Sequence, residues 1–512
     1  MRALTKPLFG AIAVALVIAA AVTSMRPGHD VFVRAYDHVL GTSLDVKVLA
    51  ASAEVADDAA GAVVAEIDRL DAILSGYRDE SEFRRWMETR DTAVPVSADL
   101  FTVLQQFDRW RERTGGALDA AAETIAQVWR DAEAANRLPD GRDVADAVAR
   151  VRLAHWRLDA GRGTATRLTA APLMLNSFAK GYVVERAAEA GLRVPGTRGI
   201  IVNIGGDLAV RGAMTETVAI RDPESDFENA APLMRIAVRD RAVATSGSYR
   251  RGFEIQGAHY SHILDPRTGS PAGHVLSATV VAPRAVDAGA LATALCVLAP
   301  EESARIVRQA GAAEYLLVLA GGRRVESPGW RSLSAAPPAS GLPGPIAALE
   351  AAEQGAWDPA FALTVSVTIG SPPGNRKRPY VVVWIEDANR RSVRTLEFSH
   401  LLTDPTWDYK LTEWMQKDRE RMAAGGPPLL ASVSSATRAP GVYKLTWDGK
   451  DDAGKFVPAG TYMVLIEGKR EGGDYFLMRQ SMEFAGVPKQ VDLEGNPEIP
   501  SASLDYHRVR NQ

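Results

Sequence analysis

Cysteine is nearly absent from this chain: its 512 residues contain one, Cys296. A single thiol excludes an internal disulfide framework, a Cys-rich zinc site and an iron–sulfur cluster. Cys296 lies inside the apolar run LATALCVLA, which reads it as a small buried hydrophobe. A basic surplus is missing too. Lys and Arg number 59 against 63 Asp and Glu, a net charge of −4, so the overall balance gives no argument for a nucleic-acid partner. The apolar stretch near the N-terminus, Leu8 to Val22, is about 15 residues, short of the roughly 20 that a membrane helix needs. What remains is ordinary: 46% hydrophobic and 24% charged residues. That composition excludes a mainly disordered, collagen-like or multi-span membrane chain. At roughly 150 residues per domain, the length predicts about three domains.

The N-terminus reads as an export signal. Arg2 and Lys6 precede the apolar stretch, and Val22-Thr23-Ser24 places small residues where a signal peptidase would cut. Residues 1–25 are therefore expected to be a cleaved leader, with an uncleaved inner-membrane anchor as the alternative. No cysteine lies near the cut, which excludes a lipoprotein anchor. Both readings send the rest of the chain to the periplasm, and an oxidising compartment suits a chain with one thiol.

Two folded regions follow. From Val31 to Leu333, helical and strand patterns mix. Apolar spacing predicts helices over Val55 to Leu74, Leu100 to Thr114 and Ala179 to Ala190. Strands are predicted at Ser43–Leu49, Gly199–Val202, Val218–Ile220, Ala242–Thr245, Ala278–Ala282 and Glu314–Leu319. This is an α+β pattern. Residues 334–357 begin with the Pro/Ala/Gly-rich SAAPPASGLPGPIA and read as a linker. Beyond it, Phe361–Ile369, Tyr380–Ile385, Gly441–Trp447, Thr461–Glu467 and Phe476–Phe484 predict an all-β sandwich over 358–486, with an inserted helix at Leu411–Met422. Residues 487–512 read as a polar tail.

The residues that carry chemistry lie in the first region. Lys180, in LNSFAKGY, is placed in the first turn of a helix whose exposed N–H groups would suit a phosphate. In NIGGD, residues 203–207, a strand ends in a glycine pair, for a ligand approach or a tight turn. TSGSY, residues 245–249, ends another strand in small hydroxyl residues. HILDPRTG, residues 262–269, holds a histidine able to serve as acid or base, and an Asp–Arg pair that is equally a turn brace. Asp287 and Thr293 open an apolar helix, where they could hold a hard cation or where the Asp is simply an N-cap.

The order KG, NIGGD, TSGSY, HILDPRTG and ALATAL resembles the ApbE-type FAD:protein FMN transferases. Leu40-Gly41-Thr42, the segment Ser75 to Glu82 and Gly116-Ala117-Leu118-Asp119 extend the resemblance upstream. It implies Mg²⁺-dependent transfer of FMN from FAD to a Thr or Ser of an exported acceptor protein, with release of AMP. It further implies that Lys180 neutralises pyrophosphate charge and that His262 meets the flavin or the reacting centre. Leu40, Tyr77, Ala117, Leu118, Asp119, Ser246 and Gly247 would complete the FAD site. Thr293 and the carbonyl of Ser177 would bind Mg²⁺. Two positions depart from the family pattern. Met174 stands where an Asp is usual, and Gly289 stands where a metal-binding Asp is usual, with Asp287 two residues upstream as the candidate replacement and catalytic carboxylate.

The second region resembles the DUF2271 β-domain, and its 447–462 hairpin is similar to Ig-like modules. Asp448, Asp451 and Asp452 lack the spacing of a calcium motif and read as turn formers. Trp384, Trp407, Trp414 and Trp447 read as core or rim, and Arg376-Lys377-Arg378 as a solvated loop tip. Beside a protein-modifying unit, this domain is expected to dock the acceptor or a redox partner such as a membrane redox complex. The competing functions are an FAD pyrophosphohydrolase giving FMN and AMP, and a catalytically impaired flavin-binding scaffold.

Overall fold

The computed structural model describes residues 29–40, 42–225, 227–248, 251–335, 357–370, 379–399, 411–423, 434–435, 440–470 and 473–509. The export signal, Trp407 and Arg376-Lys377-Arg378 lie outside the described residues. Among the described residues, no helix is long and apolar enough to cross a membrane.

The first region is built on one eight-stranded sheet: β1 (Asp30–Val39), β2 (Thr42–Ala50), β3 (Thr197–Ile204), β4 (Asp207–Gly212), β5 (Ala242–Gly247), β6 (Val275–Ala282), β7 (Glu314–Leu319) and β8 (Arg324–Glu326). Spatial order follows chain order and every pairing is antiparallel. One face carries α1 (Ala53–Leu74), α3 (Asn176–Leu192) and α4 (Ala285–Val297), while α2 (Ala98–Arg113) packs outside α1. In α1 the buried residues Ala56, Ala59, Ala60, Val63, Ile67, Leu70 and Leu74 recur at three- and four-residue steps, forming the stripe that meets the sheet. Ser52 accepts a hydrogen bond from the Val55 N–H and starts that helix. In α4 nearly every residue is buried, as expected of a helix that is apolar all round. Cys296 is one of them, a buried free thiol, as the sequence suggested. The other sheet face is covered by the hairpin Thr215–Ile220/Met234–Arg239 and by Trp330, which share a second core with Ile201, Val210, Val243 and Leu316.

The C-terminal region is mostly β. One sheet runs β13 (Gly441–Trp447), β9 (Phe361–Ile369), β17 (Ser501–Arg508) and β16 (Lys489–Leu493). The other runs β12 (Ser434–Ser435), β11 (Ser392–Ser399), β10 (Tyr380–Glu386), β14 (Gly460–Lys469) and β15 (Tyr475–Phe484). Val365, Leu445 and Leu504 from the first sheet share one buried cluster with Val383, Ile466 and Phe484 from the second. Helix α5 (Thr412–Ala423) covers the far side of β10 through Trp414, against Trp384 and Tyr380. The Glu467 carboxylate holds its start, accepting from the Glu413 and Trp414 N–H groups at 3.0 and 2.9 Å.

Two sequence expectations are corrected here. The polar tail is structured: β16 and β17 belong to the first sheet, and β17 pairs with β9 along eight residues, Ser501 to Arg508. SASLDYHR is polar on average, yet Ala502, Leu504 and Tyr506 all point to the core, the period-two pattern of a strand. The linker also ends too late, because Trp357 is core. Its ring lies 4.8 Å from that of Trp447. The Asp-rich turn is a turn: Asp451 accepts from the Ala453 and Lys455 N–H groups and Asp448 from Lys450.

Among the described residues, the two regions meet along β13. The segment after Asp226 lies along β13. Phe227 bridges Lys444, the Glu228 N–H donates to the Lys444 carbonyl at 2.8 Å, and the Asn229 side chain donates to and accepts from the Thr446 backbone, both at 2.8 Å.

Candidate active site

The chain reverses between β3 and β4 through Gly205-Gly206, at φ +53° and +95°. Such a two-residue turn needs left-handed backbone at both positions. A side chain at Gly205 would sit 2.5 Å from the Thr42 hydroxyl, so β2 and this turn pack backbone to side chain. Asn203 caps the turn by accepting from the Gly206 N–H at 3.0 Å. The tight-turn reading of NIGGD is therefore met. The same turn also borders a ligand-sized cleft.

That cleft, about 840 Å³, is lined by Leu40, Thr42, Leu74, Ser75, Tyr77, Arg78, Asn176, Lys180, Gly205 and Arg251, among others. Three cations thus border one cavity. Tyr77 is 75% exposed, and its hydroxyl accepts from the Asn176 amide at 2.9 Å, so a bare aromatic ring stands at the rim, anchored at its tip. Met174 lies against the floor of this corner: its sulfur would be 2.8 Å from a side chain at Gly76.

Lys180 sits in the second turn of α3 rather than the first, because the helix begins at Asn176. Its ammonium lies 2.8 Å from the Asp207 carboxylate at the start of β4. Burial pushes the Asp207 carboxyl above the usual value, and Lys180 opposes that shift. The next residue, Gly181, lets α4 approach closely: a Cβ there would lie 2.4 Å from the Ala285 carbonyl oxygen. One turn later Glu185 caps α4, accepting from the Ala285 N–H at 2.8 Å and from Arg284 at 3.1 Å. The KG pair therefore combines a ligand-facing cation with a helix–helix crossing.

His262 follows the Gly252–Ile255/Ala258–Ser261 hairpin, next to Arg251. Its Nδ1 is 2.9 Å from the Arg251 carbonyl, which can only accept, so Nδ1 carries the proton and Nε2 the lone pair. Lost hydration lowers its pKa below the usual imidazole value, and repulsion from Arg251 and His259 adds to the shift. The Asp265–Arg267 pair is a brace: Arg267 donates its backbone N–H and guanidinium to Asp265 at 2.9 Å.

The proposed metal residues separate. Ser246 and Thr293 meet, hydroxyl to hydroxyl, at 3.3 Å across β5 and α4, and Gly247 closes that strand. Asp287 does not join them. Six residues along a helix is a rise of about 9 Å and a turn of about 120° from the Thr293 face. Asp287 instead faces Arg284, Glu185, Arg109 and Arg113. Burial raises its pKa, with Arg284 opposing. A residue at 289 would share the Thr293 face, but Gly289 brings no donor. Ser177 lies in the first turn of α3. Among the described residues, no group of three or more His, Cys, Asp or Glu side chains could hold a metal.

The segment Ala117-Leu118-Asp119 lies outside the cleft lining. Ala117 and Leu118 are buried in the core. Asp119 is buried too, 2.8 Å from Arg111, and borders a separate cavity of about 690 Å³ with Arg152 and Arg267. Its link to the site is structural: the Met174 N–H donates to the Ala120 carbonyl, fixing the approach to α3. Sequence reasoning missed Arg251, Arg78, Asn176 and Asp207 as site residues. Asp207 carried a signal, since it directly follows the motif glycine pair, and Arg251 lies two residues past the TSGSY run.

The ApbE family model matches residues 40–317. The chain belongs to the ApbE family. A Klebsiella pneumoniae (strain 342) protein named FAD:protein FMN transferase is 31% identical over 294 residues, covering 55% of this chain and 83% of that protein. A Haemophilus influenzae protein of the same name is 30% identical over 296 residues, covering 54% and 84%. The crystal structure of the Thermotoga maritima ApbE protein superimposes with a TM-score of 0.53 at 25% identity, covering 60% of this chain and 100% of that one. The apo Pseudomonas stutzeri flavinyl transferase ApbE gives 0.50 at 23% identity, covering 60% and 99%, a likeness of fold. The ApbE fold here is therefore the eight-stranded sheet with its helices. Residues 362–501 match a second family, DUF2271, described as "Predicted periplasmic protein".

Proposed function

We propose that this chain is an FAD:protein FMN transferase that joins FMN to a Thr or Ser hydroxyl of an exported acceptor protein and releases AMP. The observation that carries this reading is the cleft in which Lys180, Arg78 and Arg251 surround the Tyr77–Asn176 pair, with His262 bound to the Arg251 backbone. Cations suit a pyrophosphate and an exposed ring suits a flat heterocycle. In the reaction, the acceptor oxygen bonds to the FMN phosphorus and the P–O bond to AMP breaks. The acceptor proton passes to His262 Nε2, and AMP leaves with the bridging oxygen. Lys180 stabilises the charge that builds on the phosphoryl oxygens, so positioning and charge neutralisation do most of the work. A Mg²⁺ ion, when bound, would supply further neutralisation of the pyrophosphate.

The domain layout we propose is an export leader over 1–25, a periplasmic transferase unit over 31–333, a connecting segment, and an Ig-like β-sandwich from Trp357 through β17. The last unit would dock the acceptor or a redox partner. The test uses residues 26–512 with FAD, Mg²⁺ and a periplasmic extract, following in-gel flavin fluorescence and AMP together. A fluorescent acceptor band that disappears with His262→Ala supports transfer. AMP and free FMN without any band favours hydrolysis. The impaired-scaffold reading has its own support in Gly289 and Met174, which remove two carboxylates. FAD binding with neither band nor AMP would establish it.

A further inference from the structure

The family-type metal carboxylate is missing at Gly289, and Asp287 faces the wrong way. The sheet nevertheless delivers a carboxylate to the same face of the fold. In the β4–β5 pairing Ala209 sits opposite Ala242. Ala209, Ala242 and Ala244 all point into the helix-covered core. Side chains alternate along a strand, so Asp207 and Ser246 project to that same side. The Thr245 backbone N–H, one residue from Ser246, lies near enough to the Asp207 carboxylate to favour its charged form. Ser246 in turn meets Thr293 at 3.3 Å. Strand register thus brings one carboxylate to the side of the sheet that carries the two paired hydroxyls, and three hard oxygen donors of this kind fit a hard divalent cation. The Asp207 carboxylate already holds a positive charge there, the Lys180 ammonium at 2.8 Å.

We propose that Asp207, and not Asp287, is the carboxylate ligand of the divalent cation, with Thr293 and Ser246 as neighbouring oxygen donors. This rests on the transferase reading for the identity of the cation but concerns the chain's own residues. In the metal-free protein Lys180 neutralises Asp207. When the cation takes the carboxylate, Lys180 is released to the pyrophosphate. Lys180 and the cation therefore compete for one carboxylate.

The experiment titrates the full chain with Mn²⁺, with and without FAD, and reads free Mn²⁺ by electron paramagnetic resonance. Asp207→Asn is expected to weaken binding at least about tenfold, the lower end of what losing even an outer-shell partner costs. Asp287→Asn is expected to leave it within about twofold of wild type, because that side chain lies beyond coordination reach. Lys180→Met is expected to tighten binding without FAD, a response that a purely structural Asp207 would not give. Should Asp207→Asn prove unstable, Lys180→Met decides, since freeing the carboxylate should tighten binding only if Asp207 is a ligand, and unchanged or weaker binding in that variant counts against it. The proposal is overturned if Asp287→Asn abolishes Mn²⁺ binding, if Asp207→Asn leaves it intact, or if the wild type binds no Mn²⁺. Flavin transfer is measured separately. Binding that follows Asp207 without any transfer would sink the transferase reading and leave the ligand assignment standing.

Discussion

Replacing Gly181 by alanine tests how the site is assembled. In an unconstrained helix the change is favourable by about 1 kcal/mol, because glycine has the higher entropy cost. Here the added Cβ would lie 2.4 Å from the Ala285 carbonyl oxygen, 2.9 Å from its carbon and 3.2 Å from Val286 Cα. All three are backbone atoms in the first turn of α4, so no side chain can rotate away. Helices α3 and α4 must part by about 1 Å to regain van der Waals contact. Overpacking of this kind costs about 1–3 kcal/mol. Loosening the Glu185 cap on α4 adds about 1 kcal/mol. After the propensity gain, a net loss of about 1–3 kcal/mol remains, a fall in Tm of roughly 2–8 °C. Lys180 is the adjacent residue, and a shift of about 1 Å at a positioning group can cost about a hundredfold in rate. Gly61→Ala is the control. Gly61 is exposed on α1 and a Cβ there meets nothing within 4 Å, so that variant should gain about 0.5–1 kcal/mol. Thermal unfolding of both variants beside a flavinylation assay checks the pair. If Gly181→Ala unfolds as high as Gly61→Ala, helices α3 and α4 do not cross this closely.

Three further predictions follow from the charges. His262 has a pKa below the ordinary 6.5, so its ring is neutral at pH 7 and transfer should fall only as pH drops through that lowered value; His262→Asn should remove this acid limb along with most of the rate. Lys180→Met should slow transfer by about a hundredfold or more, by loss of charge stabilisation, and pH titration of its unfolding midpoint should show Asp207 holding its proton to higher pH than in the wild type. In the C-terminal region, burial pushes the Asp452 carboxyl up to about 6. Its Oδ2 is buried and has no hydrogen-bond partner among the described residues. The folded state therefore binds more protons than the unfolded one between pH 3.8 and about 6, and stability declines as pH rises through that window. Asp452→Asn should recover on the order of 2 kcal/mol above pH 6 and nothing below pH 3.8, measured by denaturant unfolding at several pH values.

Local signals in the sequence located the elements well. The three long helices of the first region lie within a few residues of where apolar spacing put them, since each buries a stripe at three- and four-residue steps. The glycine pair of NIGGD was legible as a turn for the same reason, because φ above zero at two successive positions calls for glycine. Failures came where the deciding fact was not local. Asp287 and Thr293 are close in sequence, yet a helix turns them to different sides, and only its packing says which side meets β5. Asp207 acquires its role from Lys180, 27 positions earlier in the chain, through a sheet pairing that no spacing reveals. β17 was missed because its mean polarity hid the alternation. Ala117, Leu118 and Asp119 form a recognisable motif, but their burial makes them supports beneath the approach to α3.

The join between Asn229 and Thr446 bears on how a partner can reach the β-rich half. Among the described residues strand β13 ends its sheet, and an unpaired sheet edge is a template for strand addition by another chain. Here the transferase half fills part of that template with its own main chain at Phe227 and Glu228. An acceptor that docks by adding a strand is thereby steered toward β16 or β15, at the opposite ends of the two sheets. The same bonds tie the outer strand of one half to a loop of the other, so movement of the β-rich half relative to the Lys180 cleft must first unzip main-chain pairing.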